Sequence, residues 1–243
     1  MTITPDHLDE ALSILREAAV PVLDSAPEEH GFPANALWEQ EKVVLLRRLE
    51  ALVRVDFSEP NPISKAFGAG ERHPFAQEAP FTPNGDAAVQ IPIEVEGHPE
   101  ALRVQGFIDR MDQIGSGVIL IDYKSGTTPI PVADMQEGRN FQMMVYLNAA
   151  AQLLEGQQVM GGLFWHIRNR KSSGDIRLDD EGLDALNQAR MHIGRYLAAG
   201  RRGDFSVHPR KLDRGRCAHY CEFAQLCRVA GTNRFKPEDD SWT

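Results

Sequence analysis

The chain has 243 residues, 42% hydrophobic and 25% charged, with a formal net charge of −9. That is enough apolar material for a full core, while no apolar run approaches the ~20 residues a helix needs to cross a bilayer. The start, Met1-Thr-Ile-Thr-Pro-Asp6, lacks the basic-then-apolar pattern of a secretory signal. The expectation is a cytoplasmic protein with no membrane partner. The acidic balance argues against a generic nucleic-acid coat, whose affinity comes from Lys and Arg neutralising phosphates.

Leu8, Ala11, Leu12 and Leu15 recur at helical spacing and predict a helix over 6–19, with Asp6 as its N-cap. Val44, Leu45, Leu49 and Leu52 predict a second helix over 36–54. Pro60, Pro62 and several glycines predict a loop over 57–74. Glu78 falls on an expected strand, as a surface glutamate or as an additional ligand. A strand meander from Gln90 to Val95 and Gly97 leads to two strands, 104–112 and 118–124, separated by Gly115-Ser116-Gly117. A helix over 138–155 stops at Gly156. A strand over 159–168 and a helix over 180–199, ended by Gly200, complete the series. This order predicts an α/β fold with helices flanking a central mixed sheet.

The hairpin carries the chemistry. A turn between Gly115 and Ser116 sets Asp109 opposite Asp122, and directly opposed residues share a face with Cβ atoms about 4.5–5.5 Å apart. Lys124 lies two residues beyond Asp122, hence on the same face. Two carboxylates so placed repel and raise one another's pKa, which a divalent cation held by hard oxygen ligands relieves. Such an ion acidifies a bound water and acts as a Lewis acid on a phosphoryl oxygen. Lys124 would position that water or counter the charge growing on phosphorus. The plainer reading is an Asp–Lys pair on a solvated sheet face. Asp122 follows the apolar run Val118 to Ile121, which favours a site. Arg110 and Asp112 point to the opposite face and read as a structural ion pair. Gln142 and Tyr146, four apart, share one helix face.

Gly106-x-x-Asp109, Asp122-Tyr123-Lys124 and Gln142-x-x-x-Tyr146 resemble, in order and spacing, the RecB-like branch of the PD-(D/E)XK nucleases. The resemblance implies a restriction-endonuclease-like core. It implies that Asp109 and Asp122 ligate Mg²⁺ or Mn²⁺, with the backbone carbonyl of Tyr123 completing the shell. Lys124 would assist the attacking water, and Gln142 and Tyr146 would contact DNA. The implied activity is a metal-dependent DNA exonuclease of RecB/AddB type in double-strand-break processing and recombinational repair, with a helicase or helicase–nuclease subunit as partner. Rival readings are a non-catalytic DNA-binding or subunit-docking module of the same fold, and a CRISPR-associated RecB-like nuclease.

All three cysteines lie near the end, as Cys217-x₃-Cys221-x₅-Cys227. Clustered thiols without partners elsewhere make a poor disulfide framework, whereas soft thiolates suit zinc or an iron–sulfur cluster. The group resembles the C-terminal cysteines of AddB-type nuclease domains, which hold a 4Fe–4S cluster together with one distant upstream cysteine. This chain has no upstream cysteine. His219 would supply the fourth ligand of a Cys₃His zinc site, and unligated thiols are the third reading. The family's upstream Gly-x-x-x-His motif is also missing, since Ile3-Thr4-Pro5 before His7 does not fit it. The segment Leu8 to Val55, including Trp38-Glu-Gln-Glu-Lys42, resembles the stretch downstream of that histidine. The expectation is an excised nuclease domain: a helical region over 1–56, a core over 57–200 with its hairpin at 104–124, and a cysteine-rich segment over 201–243. Two basic clusters, Arg168, Arg170 and Lys171, then Arg201, Arg202, Arg210, Lys211, Arg214 and Arg216, read as solvated faces or a local DNA track.

Overall fold

A computed structural model describes residues 2–31, 33–81, 89–154 and 156–205, with the backbone of 211–212 and 216–217. Two helices open the chain, α1 (Leu8–His30) and α2 (Ala36–Asp56), and a short α3 (Pro62–Phe67) follows. The strands are β1 (Arg72–Pro80), β2 (Val89–Val95), β3 (His98–Val104), β4 (Phe107–Ile114) and β5 (Gly117–Lys124). Then come α4 (Val132–Gln136), α5 (Gln142–Leu153), β6 (Gln158–His166), β7 (Lys171–Arg177) and α6 (Asp180–Arg201). Five strands form one mixed sheet in the order β1-β4-β5-β6-β7. Only β5 and β6 run parallel, and α4 and α5 lie in the crossover between them.

The central strand β5 explains the layering. Val118, Ile119, Leu120 and Ile121 are all fully buried, as expected of a strand covered on both faces. Ile119 and Ile121 pack with Leu52, Ile63, Phe67 and Trp165 beneath α2 and α3. Val118 and Leu120 pack on the other side with Met143, Met144 and Leu147 of α5 and Ile193 of α6. Burying each such side chain stabilises the fold by about 1.5–3 kcal/mol. The hairpin register is the expected one over its five paired positions, Arg110↔Ile121 to Ile114↔Gly117.

Several sequence expectations change. Helix α1 runs through Pro21 and Pro27 to His30, eleven residues beyond the predicted end at 19, and is capped by a left-handed Gly31. Its length is sustained by pairing with α2, through Arg16–Glu50 and Lys42–Asp24 at 2.7 Å each. Asp6 lies in a 3₁₀ turn (Pro5–His7) and is not the N-cap. The predicted loop over 57–74 contains α3, started by an Asn61–Ser64 capping box with Pro62 at its first position. The predicted helix over 138–155 begins only at Gln142, because Gly138 adopts a left-handed φ of 72° after α4. Helix α6 passes through Gly200 to Arg201. Strands β2 and β3 form a separate two-stranded sheet instead of continuing into the hairpin. Strand β7, whose Lys-Ser-Ser-Gly sequence carries no alternating signal, is held by its antiparallel pairing with β6.

Near the C-terminus, β8 (Lys211–Leu212) pairs with β9 (Arg216–Cys217). Cys221, Cys227 and His219, with Arg210 and Arg214, lie outside the described residues. Among the described residues no helix is long and apolar enough to cross a membrane.

Candidate active site

The site forms where the β4–β5 ladder ends. Beyond the Arg110↔Ile121 pair, the Tyr123 backbone N–H donates to Oδ2 of Asp109 at 2.9 Å. A side chain thus takes the place of the next ladder bond and turns the Asp109 carboxylate toward β5.

Asp122, 2% exposed, lies on the α5 side of the sheet, one alternation after Leu120. Its Oδ1 accepts from Gln142 Nε2 at 2.6 Å, and its Oδ2 lies 2.5 Å from Lys124 Nζ. That second oxygen is buried and makes no hydrogen bond of acceptable geometry among the described residues. Lys124 Nζ also donates to Gln142 Oε1 at 2.6 Å and sits 5.1 Å from the centre of the Phe164 ring. Gln142 Nε2 donates to the Tyr146 hydroxyl at 2.9 Å. One amide therefore bridges the carboxylate, the ammonium and the phenol. Its position is set by the start of α5, where Asn140 Oδ1 accepts the Gln142 backbone N–H at 3.0 Å.

Burial pushes the Asp122 carboxyl above the usual range; Lys124 pulls it down, and the neighbouring Asp109 charge adds to the rise. Burial likewise raises the Tyr146 phenol, and Asp122 and Asp109 add to it. The five residues Asp109, Asp122, Lys124, Gln142 and Tyr146 are brought together.

Gly106, the first residue of the Gly-x-x-Asp motif, has a packing reason. A Cβ there would lie 2.7 Å from the edge of the Phe81 ring, well inside contact distance. Phe81 is itself buried and meets Tyr146 edge-on, with ring centres 5.9 Å apart. The glycine lets Phe81 close down and thereby seats Tyr146.

The other face of the hairpin holds a buried ion network. Arg110 donates to both oxygens of Asp112, at 2.8 and 2.7 Å, and to Asp56 Oδ2 and the Tyr123 hydroxyl, each at 2.7 Å. Arg72 donates to Asp112 Oδ2 and to the Asp56 carbonyl, each at 2.7 Å, and pairs with the Asp56 carboxylate. Burial opposes the charge on Arg110, but Asp56, then Tyr123 and Asp112, outweigh it and hold the guanidinium protonated. The expected Arg110–Asp112 pair is present, on the face expected. The sequence gives no sign of Asp56 and Arg72, since neither the end of α2 nor the start of β1 signals a partner 40 or 54 positions away.

Glu78 is exposed, with φ 45°, between the pairs Gln77↔Arg110 and Ala79↔Ile108, so its backbone lies opposite Asp109. An open cavity of about 290 Å³ is lined by Asp109, Arg110, Tyr123 and Gln77, together with Asp56 and Phe57.

Among the described residues no three His, Cys, Asp or Glu side chains converge as a metal-binding group. Two carboxylates do meet, one with a buried oxygen lacking a hydrogen bond, and that donor set fits a hard divalent cation.

A mixed five-stranded sheet with helices on both faces and an Asp/Asp-x-Lys hairpin at its centre defines a nuclease class, and comparison with known proteins agrees. The model of the PD-(D/E)XK nuclease superfamily matches residues 4–228, and the chain belongs to that superfamily. Similar proteins include three that are each named as a subunit of an ATP-dependent helicase/deoxyribonuclease. The protein from Alkaliphilus metalliredigens is 29% identical over 173 residues, covering 67% of this chain and 14% of its own length. That from Alkaliphilus oremlandii is 31% identical over 151 residues, 58% of this chain and 12% of its length. That from Clostridium tetani is 36% identical over 98 residues, 38% of this chain and 8% of its length. The chain thus spans a small part of these relatives, and they agree with the RecB-like, AddB-type resemblance of the motifs.

Proposed function

We propose that the chain is a Mg²⁺- or Mn²⁺-dependent deoxyribonuclease of RecB/AddB type that removes nucleotides from a DNA strand end. The observation that carries this reading is the convergence of Asp109, Asp122 and Lys124 on one face, with Gln142 bridging Asp122 and Lys124 and the Tyr123 N–H holding Asp109. Asp109 and Asp122 would hold the cation, with the Tyr123 carbonyl as a further oxygen and Glu78 as a candidate from β1. A bound Mg²⁺ or Mn²⁺ supplies an acidified water and a Lewis acid on the phosphoryl oxygen.

The chain's own groups do the rest. Lys124 Nζ, which lies against Asp122 and Gln142, would donate to the attacking water and counter charge building on the phosphate. Gln142 and Tyr146 would together steady the strand being cut: the Gln142 amide holds the phenol in place, and Tyr146 presents its O–H beside it. The relatives' names, which pair a helicase with a deoxyribonuclease, support a helicase partner, and a role in DNA repair rests on the RecB/AddB-type resemblance of the motifs. Cys217, Cys221 and Cys227 fit a 4Fe–4S cluster completed from outside this chain, on resemblance, with a zinc site including His219 as the other reading.

The test uses end-labelled single- and double-stranded DNA with Mn²⁺, beside Asp122→Ala and Lys124→Ala. Degradation is expected, abolished by the first substitution and slowed about 100-fold or more by the second. Equal degradation by the parent and Asp122→Ala would overturn the assignment. DNA binding without cleavage by any of the three would favour the non-catalytic module.

A further inference from the structure

Tyr123 lies between the two functional residues of Asp122-Tyr123-Lys124, yet its side chain leaves the site and enters the ion network on the other face. Its phenol accepts from Arg110 Nη1 at 2.7 Å, and its ring lies against Trp165 with centres 6.4 Å apart. Its backbone N–H donates to Asp109 Oδ2 at 2.9 Å. Arg110 is the residue after Asp109. These contacts close a ring: from the Asp109 carboxylate to the Tyr123 N–H, along Tyr123 to its hydroxyl, across to Arg110, and back along the chain to Asp109.

The ring is anchored from outside. Arg110 grips both oxygens of Asp112, and Asp56 at the end of α2 holds the same Nη1 that meets the phenol. With the guanidinium fixed on three sides, the phenol has one place to go. The tyrosine backbone is then held at the height where its N–H meets Asp109, and that bond sets the rotation of the carboxylate plane.

We infer that Tyr123 is a positioning residue: its hydroxyl, clamped by Arg110, fixes the carboxylate of Asp109 in the orientation a divalent cation requires. The inference rests on the proposed function, because it presumes that Asp109 holds the cation. Removing only the hydroxyl leaves the packing on Trp165 and the network's four charges in place.

The test is Mn²⁺ binding to the whole 243-residue chain, measured by isothermal titration with Tyr123→Phe and Asp122→Ala in parallel. Outer-sphere partners of metal ligands are worth about 10- to 100-fold in affinity, so Tyr123→Phe is expected to raise the Mn²⁺ Kd about tenfold. A purely structural tyrosine would lower Tm and leave the Kd unmoved. An unchanged Kd in Tyr123→Phe, with binding lost in Asp122→Ala, would overturn the inference and spare the proposed function. Binding retained in Asp122→Ala would overturn both. Amide hydrogen exchange covers a Tyr123→Phe chain that fails to fold. Asp109→Ala should speed exchange of the residue 123 amide at least about tenfold, and no change would overturn the inference.

Discussion

Asp122 is held in the fold at a cost. Its carboxylate is buried, Lys124 offsets part of the penalty, and the nearby Asp109 charge adds to it, so its pKa lies above that of the unfolded chain. A carboxyl with a raised folded pKa binds more protons folded than unfolded. Its contribution to stability therefore falls as pH rises from the ordinary carboxylate range through its own titration, then levels off. Urea midpoints of the parent and Asp122→Asn, measured from pH 4 to 8 in EDTA, should diverge over that window. The asparagine chain should gain on the parent as the pH rises through that window. Parallel curves would show that Lys124 and Gln142 offset the cost fully. Stability given up at a site residue is a common trade for function.

At the scale of elements, the central hairpin was legible in the sequence and its surroundings were less so. The run Val118 to Ile121 after Gly115-Ser116-Gly117 fixes a buried strand and its register, and the register alone brings Asp109, Asp122 and Lys124 to one end of the hairpin. Pro60 and Pro62 read as loop and mask helix α3, although Asn61-Pro62-Ile63-Ser64 carries its own start signal. The sequence underestimates helix α1 because proline normally ends a helix, and the pairing with α2 that sustains it is tertiary. The Asp56–Arg72 half of the ion network was invisible for the same reason.

Asn61 gives this layer a test. Its Oδ1 caps α3 by accepting from Ile63 and Ser64, at 2.9 Å each, while its Nδ2 donates to the carbonyls of Asp56 and Ser58 at 3.3 and 2.9 Å. An ordinary cap is worth about 1 kcal/mol, and orphaning buried carbonyls adds to that. Asn61→Ala should therefore cost about 2 kcal/mol and lower Tm by about 4–8 °C by calorimetry. A shift under about 1 °C would contradict the assignment.

Taken as a whole, the molecule is acidic, and part of its basic surface is already engaged. Arg201 meets both carboxylate oxygens of Glu100 at 2.6 and 2.7 Å, and Arg202 pairs with Glu96. Exposed pairs of this kind add little stability, but they lower the positive charge offered to phosphates. DNA affinity of the isolated chain should therefore be modest and depend weakly on salt. Filter binding over 50–200 mM salt should give a slope corresponding to no more than about three phosphates. A slope steeper than about −5 would reveal an extended basic track.

The ion network behind the hairpin also sets an order of events during folding. Strands β4 and β5 are neighbours in the chain, and such a hairpin closes in about 1–10 μs. Arg110 and Asp112, however, must wait for Asp56 and Arg72, which arrive only after long loops have closed. Until then Arg110 meets Asp112 and the Tyr123 phenol within the hairpin alone, without its anchor on Asp56. A refolding chain therefore regains its hairpin before its buried ion network is complete.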